Sequence, residues 1–378
     1  MDRPPRARPI VHDLSLRYLV VPPVILAALT AAVLFQHSDT NIYMLYSQCH
    51  ARSRLPSLTG NLPLLGSPLC FVVSFFQESA ASLRSSALLA VIFSFLSGLL
   101  TVSTVEAARV CNKPNPLIAY PTGSWLIFDL VGGAFVWELL FLPAFFHRSR
   151  EIINSRRAGE PSGLPAGAAD PTFGESMRHL AGTAEAVAIP AAVALGFVVP
   201  SVLLLTLDSA ATAAAWLLFP IWVSLIRQAV RKALGLVVRA GESWRETLHL
   251  ESSRVALVGM YAVPVACSVL AQAFLVWNLT ARPDDRKEMT RATVKFIAID
   301  AFFVGLTVLY WILVEAGWRV ALVMAAASAV LGPGAGISLG WIYREQTVNP
   351  DRSVTVVAVG APRGSDDGHT SEETPLLR

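Results

Sequence analysis

Apolar blocks of about 17 to 25 residues, almost free of Lys and Arg, recur along this chain with short polar stretches between them. A helix of that length covers the roughly 30 Å of bilayer hydrocarbon, whereas apolar helices in water-soluble cores are usually shorter. Only 15% of the 378 residues are charged and 54% are hydrophobic, against about 25% charged in an average soluble protein. The pattern predicts an all-α, polytopic transmembrane helical bundle embedded in a lipid bilayer. Net charge is +3 and the basic residues sit between the apolar blocks, so nothing supports a nucleic-acid partner.

Nine spans are predicted, at about 18–36, 62–79, 86–106, 122–146, 184–206, 209–227, 254–277, 293–315 and 319–341. The second holds Pro63 and Pro68, and if it is re-entrant the count is eight. The first follows Arg3, Arg6, Arg8 and Arg17 and lacks a small-x-small cleavage pattern, which favours a retained helix over a signal peptide. The chain divides into a cytosolic segment 1–17, a membrane block 18–146, a basic linker 147–183, a second membrane block 184–341 and a polar tail 342–378, expected to be disordered.

Two loops rich in Lys and Arg set the orientation, one with His147, Arg148, Arg150, Arg156, Arg157 and Arg178, the other with Arg227, Arg231, Lys232, Arg239 and Arg245. Both are expected in the cytosol. Alternation then puts 36–61, 107–121 and 278–292 on the lumenal side, and nine spans put the tail there too. The sequon Asn278-Leu279-Thr280 agrees, with Asn278 as a glycosylation acceptor. The acidic dileucine pattern Glu372-Glu373-Thr374-Pro375-Leu376-Leu377 does not, because sorting adaptors read it from the cytosol. Cys49 and Cys111 share the expected lumenal side, which permits a disulfide, with two free thiols as the alternative. An endomembrane location such as the endoplasmic reticulum is expected.

An acid inside a span costs a few kcal/mol and marks a functional site by default. Glu106 ends the third span, Asp129 lies about a turn into the fourth, and Asp300 about two turns into the eighth. The expected topology gathers these three in the lumenal half. Glu138 lies deeper in the fourth span, Glu185 and Glu315 near cytosolic ends, and Asp208 in a tight turn. A carboxyl group enclosed among apolar helices can keep its proton at neutral pH and act as a general acid. Phe75, Phe76, Phe128, Phe135, Trp137, Phe302, Phe303, Tyr310 and Trp311 offer ring faces that stabilise a carbocation or simply pack the bundle.

No GxxxxGK[ST], HExxH, CxxC or GxSxG pattern is present, which counts against ATP-driven transport and standard hydrolase chemistry. Asp284-Asp285-Arg286-Lys287-Glu288 has the DDxxE spacing of a Mg²⁺-diphosphate site, but it carries its own basic residues and reads better as a solvated charge run. No metal site and no cofactor are expected.

The run Thr101-Val102-Ser103-Thr104-Val105-Glu106-Ala107-Ala108-Arg109, with Asn112 and Tyr120-Pro121-Thr122-Gly123, resembles the fungal integral-membrane terpene cyclases of meroterpenoid biosynthesis, including the ascofuranone type. Pro68 to Gln77, Phe128-Asp129-Leu130-Val131-Gly132-Gly133 and Trp137-Glu138-Leu139 extend the resemblance over about residues 60–150. It implies metal-free protonation of an epoxide or alkene on a prenylated aromatic or polyketide substrate, then cation–olefin cyclisation and deprotonation, a lyase or isomerase reaction. Glu106 and Asp129 are the positions that would start it, with Asp300 as an auxiliary acid and Phe128, Trp137, Arg109 and Asn112 as substrate-binding residues. The alternative is a proton- or cation-coupled transporter of a small metabolite.

Overall fold

The computed structural model describes residues 10–12, 14–37, 63–158, 178–207, 209–237, 248–250 and 252–348. Cys49, Asp208, Arg156, Arg157, Arg239, Arg245 or their side chains, and the dileucine pattern, lie outside the described residues. Those described form helices and no strand, with isolated bridges at Arg109, Leu180 and Leu248.

In chain order the helices are α1 (Leu16–His37), α2 (Pro63–Ser79), α3 (Leu83–Ala108), α4 (Thr122–Val131), α5 (133–158), α6 (Glu185–Thr206), α7 (Ala210–Leu217), α8 (Phe219–Val237), α9 (Arg254–Ala281), α10 (Glu288–Ala316), α11 (Trp318–Leu331) and α12 (Pro333–Val348). Single π-turns interrupt α5 at Trp137–Phe141 and α6 at Ala194–Val198. Five helices, α1, α3, α6, α9 and α10, are long and apolar enough to cross a membrane, and the bent pair α7–α8 makes a sixth. These fit a multi-pass membrane protein. Nine crossings are not reached, because three predicted spans are interrupted or short.

Backbone chemistry explains the interruptions. The 122–146 block breaks at Gly132, whose φ of 113° only glycine adopts without strain, leaving α4 at ten residues, about 15 Å. The 319–341 block folds at Gly332-Pro333 into α11 and α12. A Cβ on Gly336 would strike Ser328, and one on Gly340 would strike Met324, so the two helices run antiparallel as a hairpin. Its other side packs on α3, where a Cβ on Gly334 would come within 2.3 Å of the Ser94 carbonyl oxygen. Small residues let the backbones touch, and close packing of this kind drives association where water is absent. Helix continues to Val348, so the boundary expected at 342 falls inside α12.

α3 is the central and most enclosed span. Its Ser97, Thr101, Ser103 and Thr104 hydroxyls donate to carbonyls three or four residues back, which lets small polar residues sit in a dry core. Ser82 accepts the Ser85 N–H to begin it, and Asp285, beside α10, accepts the N–H groups of Leu83 and Arg84 at 2.7 and 3.2 Å. The start of α3 thus lies on the face of the 282–287 loop.

Its end lies on the other face. Val110 N–H donates to His179 O at 3.1 Å, and Leu180 N–H to Leu248 O at 2.9 Å, tying 109–112 to the two basic loops. This corrects the sequence expectation that 107–121 lies across the bilayer from them. Tyr310 Oη donates to Leu19 O, so α1 starts near the C-terminal half of α10 and crosses opposite to α3. α1 therefore ends on the face where α3 begins. Five or six helices of spanning length remain, and α12, folded back on α11, ends on the basic face beside the end of α10.

Cys111 is a free, buried thiol, so it does not pair with Cys49; Cys70 is the cysteine in a disulfide. Asn278 is 1% exposed, and its side-chain oxygen accepts from Arg84 Nε at 3.2 Å, so the acceptor side chain of the sequon is enclosed near the end of α9.

Candidate functional site

Two polar clusters are buried in the bundle, and the acids expected to converge divide between them. On the basic face, Glu106 at the end of α3 meets Arg344 and Glu345 of α12 and Arg109. Glu106 Oε1 lies 2.9 Å from Arg344 Nη1 and 3.2 Å from Arg109 Nε, and Oε2 accepts from Asn112 Nδ2 at 3.1 Å. Arg344 also bonds Glu315 of α10 at 2.5 Å and Glu345 at 3.0 Å, while Arg109 holds Glu345 at 2.7 Å. Ser149 of α5 donates to Glu315 at 3.1 Å. Three carboxylates and two guanidiniums are thus enclosed together, clamping α3, α5, α10 and α12. Glu106 acts only as an acceptor here. Arg109 and Asn112, expected to bind substrate, hold Glu106 and the chain after α3; Arg109 Nη1 also donates to Arg178 O at 2.6 Å.

The second cluster surrounds the break between α4 and α5. Asp300, midway along α10, accepts the N–H of Gly133 through Oδ2 at 2.9 Å and of Ala134 through Oδ1 at 3.0 Å. A carboxylate suits the positive end of a helix whose first N–H groups have no partner. The Phe128 ring covers Gly133 so closely that a Cβ there would sit 2.3 Å from it. Glu138, in the π-turn of α5, is fully enclosed. Its Oε1 accepts from Thr30 of α1 at 3.0 Å, and Asp300 and Thr307 of α10 act on the same carboxyl group. The Thr307 proton is committed to Phe303 O, and Glu138 Oε2 receives no hydrogen bond. Asp129 lies one turn before Gly132, with Oδ2 enclosed and likewise without a donor.

Asp300 and Glu315 stand 15 positions apart on one unbroken helix, which is about 22 Å. Since Glu315 shares Arg344 with Glu106, Glu106 is remote from Asp300. Glu138 and Asp300 act on each other beside the Gly132 break, Asp129 stands three residues before that break in α4, and Glu106 does not join them. Arg344 and Glu345 were missed by sequence reasoning; the only signal was an adjacent pair of opposite charges just beyond an apolar block. Glu138 was visible as a buried acid, but nothing local distinguished it from Asp129.

A series of edge-to-face and tilted indole rings joins the clusters. Trp125 contacts Trp137 at 6.2 Å, Trp137 contacts Trp311 at 6.0 Å, and Trp311 contacts Trp341 at 4.6 Å, beside Glu106. Among the described residues, no three His, Cys, Asp or Glu side chains are arranged to hold a metal ion. The two aspartates of the DDxxE run are already engaged. Asp284 pairs with Arg286 at 2.9 Å, which holds its carboxyl below the usual carboxylate range, and Asp285 caps α3.

An all-helical, multi-pass membrane protein with carboxyl groups enclosed at a broken helix is the class that this architecture defines. The chain belongs to the CtvD domain family, whose model matches residues 19–281 and which is meroterpenoid-cyclase-like. Membership supports a terpene-cyclase-like biosynthetic function. No curated protein and no solved structure matches the chain.

Proposed function

We propose that the chain is an integral-membrane terpene cyclase that closes rings on a prenylated, epoxidised aromatic or polyketide substrate by acid-initiated cation–olefin cyclisation. One observation carries this reading: Glu138 Oε2 is an enclosed carboxyl oxygen without a donor, beside the fixed carboxylate of Asp300. A carboxyl group so placed can carry a proton and deliver it. The proton goes to the epoxide oxygen, the C–O bond opens, and the electron-deficient carbon is attacked by the next alkene to form a C–C bond. A neighbouring carbon then loses a proton to the Glu138 carboxylate, which ends the cascade and regenerates the acid. Rings such as Phe128 and Trp137 supply the electron-rich faces that stabilise positive charge.

In this reading Glu138 is the proton donor and Asp129 is the other enclosed acid available for the role. Asp300 holds the apex of α4 and α5, and Glu106, with Arg109 and Asn112, keeps the basic face of the bundle in place. Microsomes carrying Glu138→Gln, incubated with an epoxy-prenyl phenol, should lose cyclisation by about 10²-fold or more. Undiminished turnover would remove Glu138 from the role, and Asp129→Asn is then the variant to measure.

Transport of a small metabolite is a second reading, favoured by helices that break at Gly132 and Gly332 inside the membrane. It requires accumulation of unchanged substrate in sealed vesicles. Formation of cyclised product by detergent-solubilised protein, with no gradient present, overturns it.

A further inference from the structure

Two threonines act on the Glu138 carboxyl group, and they present it with opposite ends of the hydroxyl dipole. In the spanning helices Thr101, Thr104 and Thr293 donate to main-chain carbonyls three or four residues back, where a hydroxyl inside a helix commonly turns. Thr307 does the same. Its proton goes to Phe303 O at 2.8 Å, so its oxygen can only offer lone pairs to Glu138. Thr30, fully enclosed on α1, turns its proton across to another helix instead, onto Glu138 Oε1 at 3.0 Å.

These polarities decide where a proton on Glu138 sits. Oε1 already receives the Thr30 proton, and a second hydrogen on that oxygen would meet the first. Oε2 receives none. A neutral carboxyl group with Oε1 as its carbonyl oxygen and Oε2 as its O–H satisfies Thr30 without conflict. An ionised one would sit in a dry site with the Thr30 proton as its hydrogen-bond donor, facing the Thr307 lone pairs and the Asp300 carboxylate, and an enclosed charge so poorly partnered is costly.

We infer that Thr30 is a positioning residue for the Glu138 acid: it reserves Oε1 as the acceptor, so that the proton rides on Oε2, the oxygen that delivers it. The fate of that proton rests on the cyclase reading; its place on Oε2 does not. When Oε2 gives its proton to the epoxide oxygen, the negative charge left behind spreads over both carboxylate oxygens, and the Thr30 bond becomes charge-assisted. It is then stronger after transfer than before, which is the condition for an interaction to speed the chemical step. α1 is the least enclosed of the five long helices, and Thr30 is its hydrogen-bonded link to the acids.

The test uses the full chain purified in lipid nanodiscs, first without substrate, and reads the infrared C=O stretch of neutral carboxyl groups. Subtracting the Glu138→Gln spectrum from that of the wild type isolates the Glu138 band. Thr30→Val keeps the branched shape and removes the donor, so the band should move to higher frequency. Thr30→Ser keeps the hydroxyl and should leave it in place. With an epoxy-prenyl phenol, Thr30→Val should lower kcat about tenfold at unchanged KM, and Thr30→Ser should recover most of the rate. Absence of a Glu138 band, a band that Thr30→Val does not move, or equal loss of rate in both variants would each overturn the proposal. Because Thr30→Val can fail to fold, the wild-type band gives an independent reading: it should lie below the frequency of a carboxylic acid whose carbonyl accepts no hydrogen bond, and a band at that free position overturns the proposal as well. The expected band shifts without any cyclised product would remove the cyclase reading and leave the placement of the proton standing.

Discussion

Asp300 reaches across 167 residues of sequence to accept the main-chain N–H of Gly133 at 2.9 Å, and with its other oxygen that of Ala134. One side chain on an unbroken helix thus closes the break in another. The geometry uses both oxygens as acceptors, so in the proposed mechanism this acid holds the site in place and Glu138 delivers the proton.

Asp300→Asn removes one acceptor and presents an amide NH₂ to a backbone N–H. The expected loss is about 1–3 kcal/mol, the cost of leaving a buried donor unpaired. Thermal unfolding in detergent checks it. A variant as stable as the wild type would mean that the apex of α4 and α5 holds without this cap.

Arg344 bonds Glu106, Glu315 and Glu345 with its side chain 1% exposed. Replacing it by Met leaves carboxylates enclosed without their counter-ion, which typically costs about 3–5 kcal/mol. Arg344→Met should therefore yield little folded protein, with Arg344→Lys in between. Proteolysis of microsomes at graded temperature measures the order.

For Asp285, burial acts to raise the carboxyl pKa, but the N–H groups of Leu83 and Arg84 outweigh it and hold the group below its ordinary 3.8. A lowered folded-state pKa contributes stability that is complete above the unfolded value and is lost as pH falls through the folded one. Protection of the Leu83 and Arg84 amides against hydrogen exchange should hold at pH 5 and fall below about pH 3.8. Asp285→Asn should flatten that dependence.

With α7 and α8 as one span, six crossings would put both ends of the chain on the basic-loop face. Epitope tags fused before Met1 and after Arg378 should both be digested by protease added outside sealed microsomes. Protection of the C-terminal tag alone is the outcome of nine crossings. Asn278→Gln should leave electrophoretic mobility unchanged, because the enclosed amide carries no glycan.

The membrane class, the helical content and the long spans α1, α3, α6, α9 and α10 were legible in the sequence, because an apolar block of spanning length has few alternatives to crossing. The acids were legible as well, since a carboxyl group in such a block stands out. What the sequence left open was which blocks turn back. Gly132 and Gly332 break helices whose hydropathy runs on uninterrupted, and only contacts with Asp300 and α3 decide that the chain reverses there. Reversal at Gly132 returns the chain to the face it left, so Glu106 shares that face with the basic loop after α5 and with Glu315, which stands about 22 Å along α10 from Asp300. Which acids meet depends on pairings between residues far apart in the chain, such as Glu106 with Arg344 and Asp300 with Gly133. Local composition carries no trace of a partner 167 or 238 residues away.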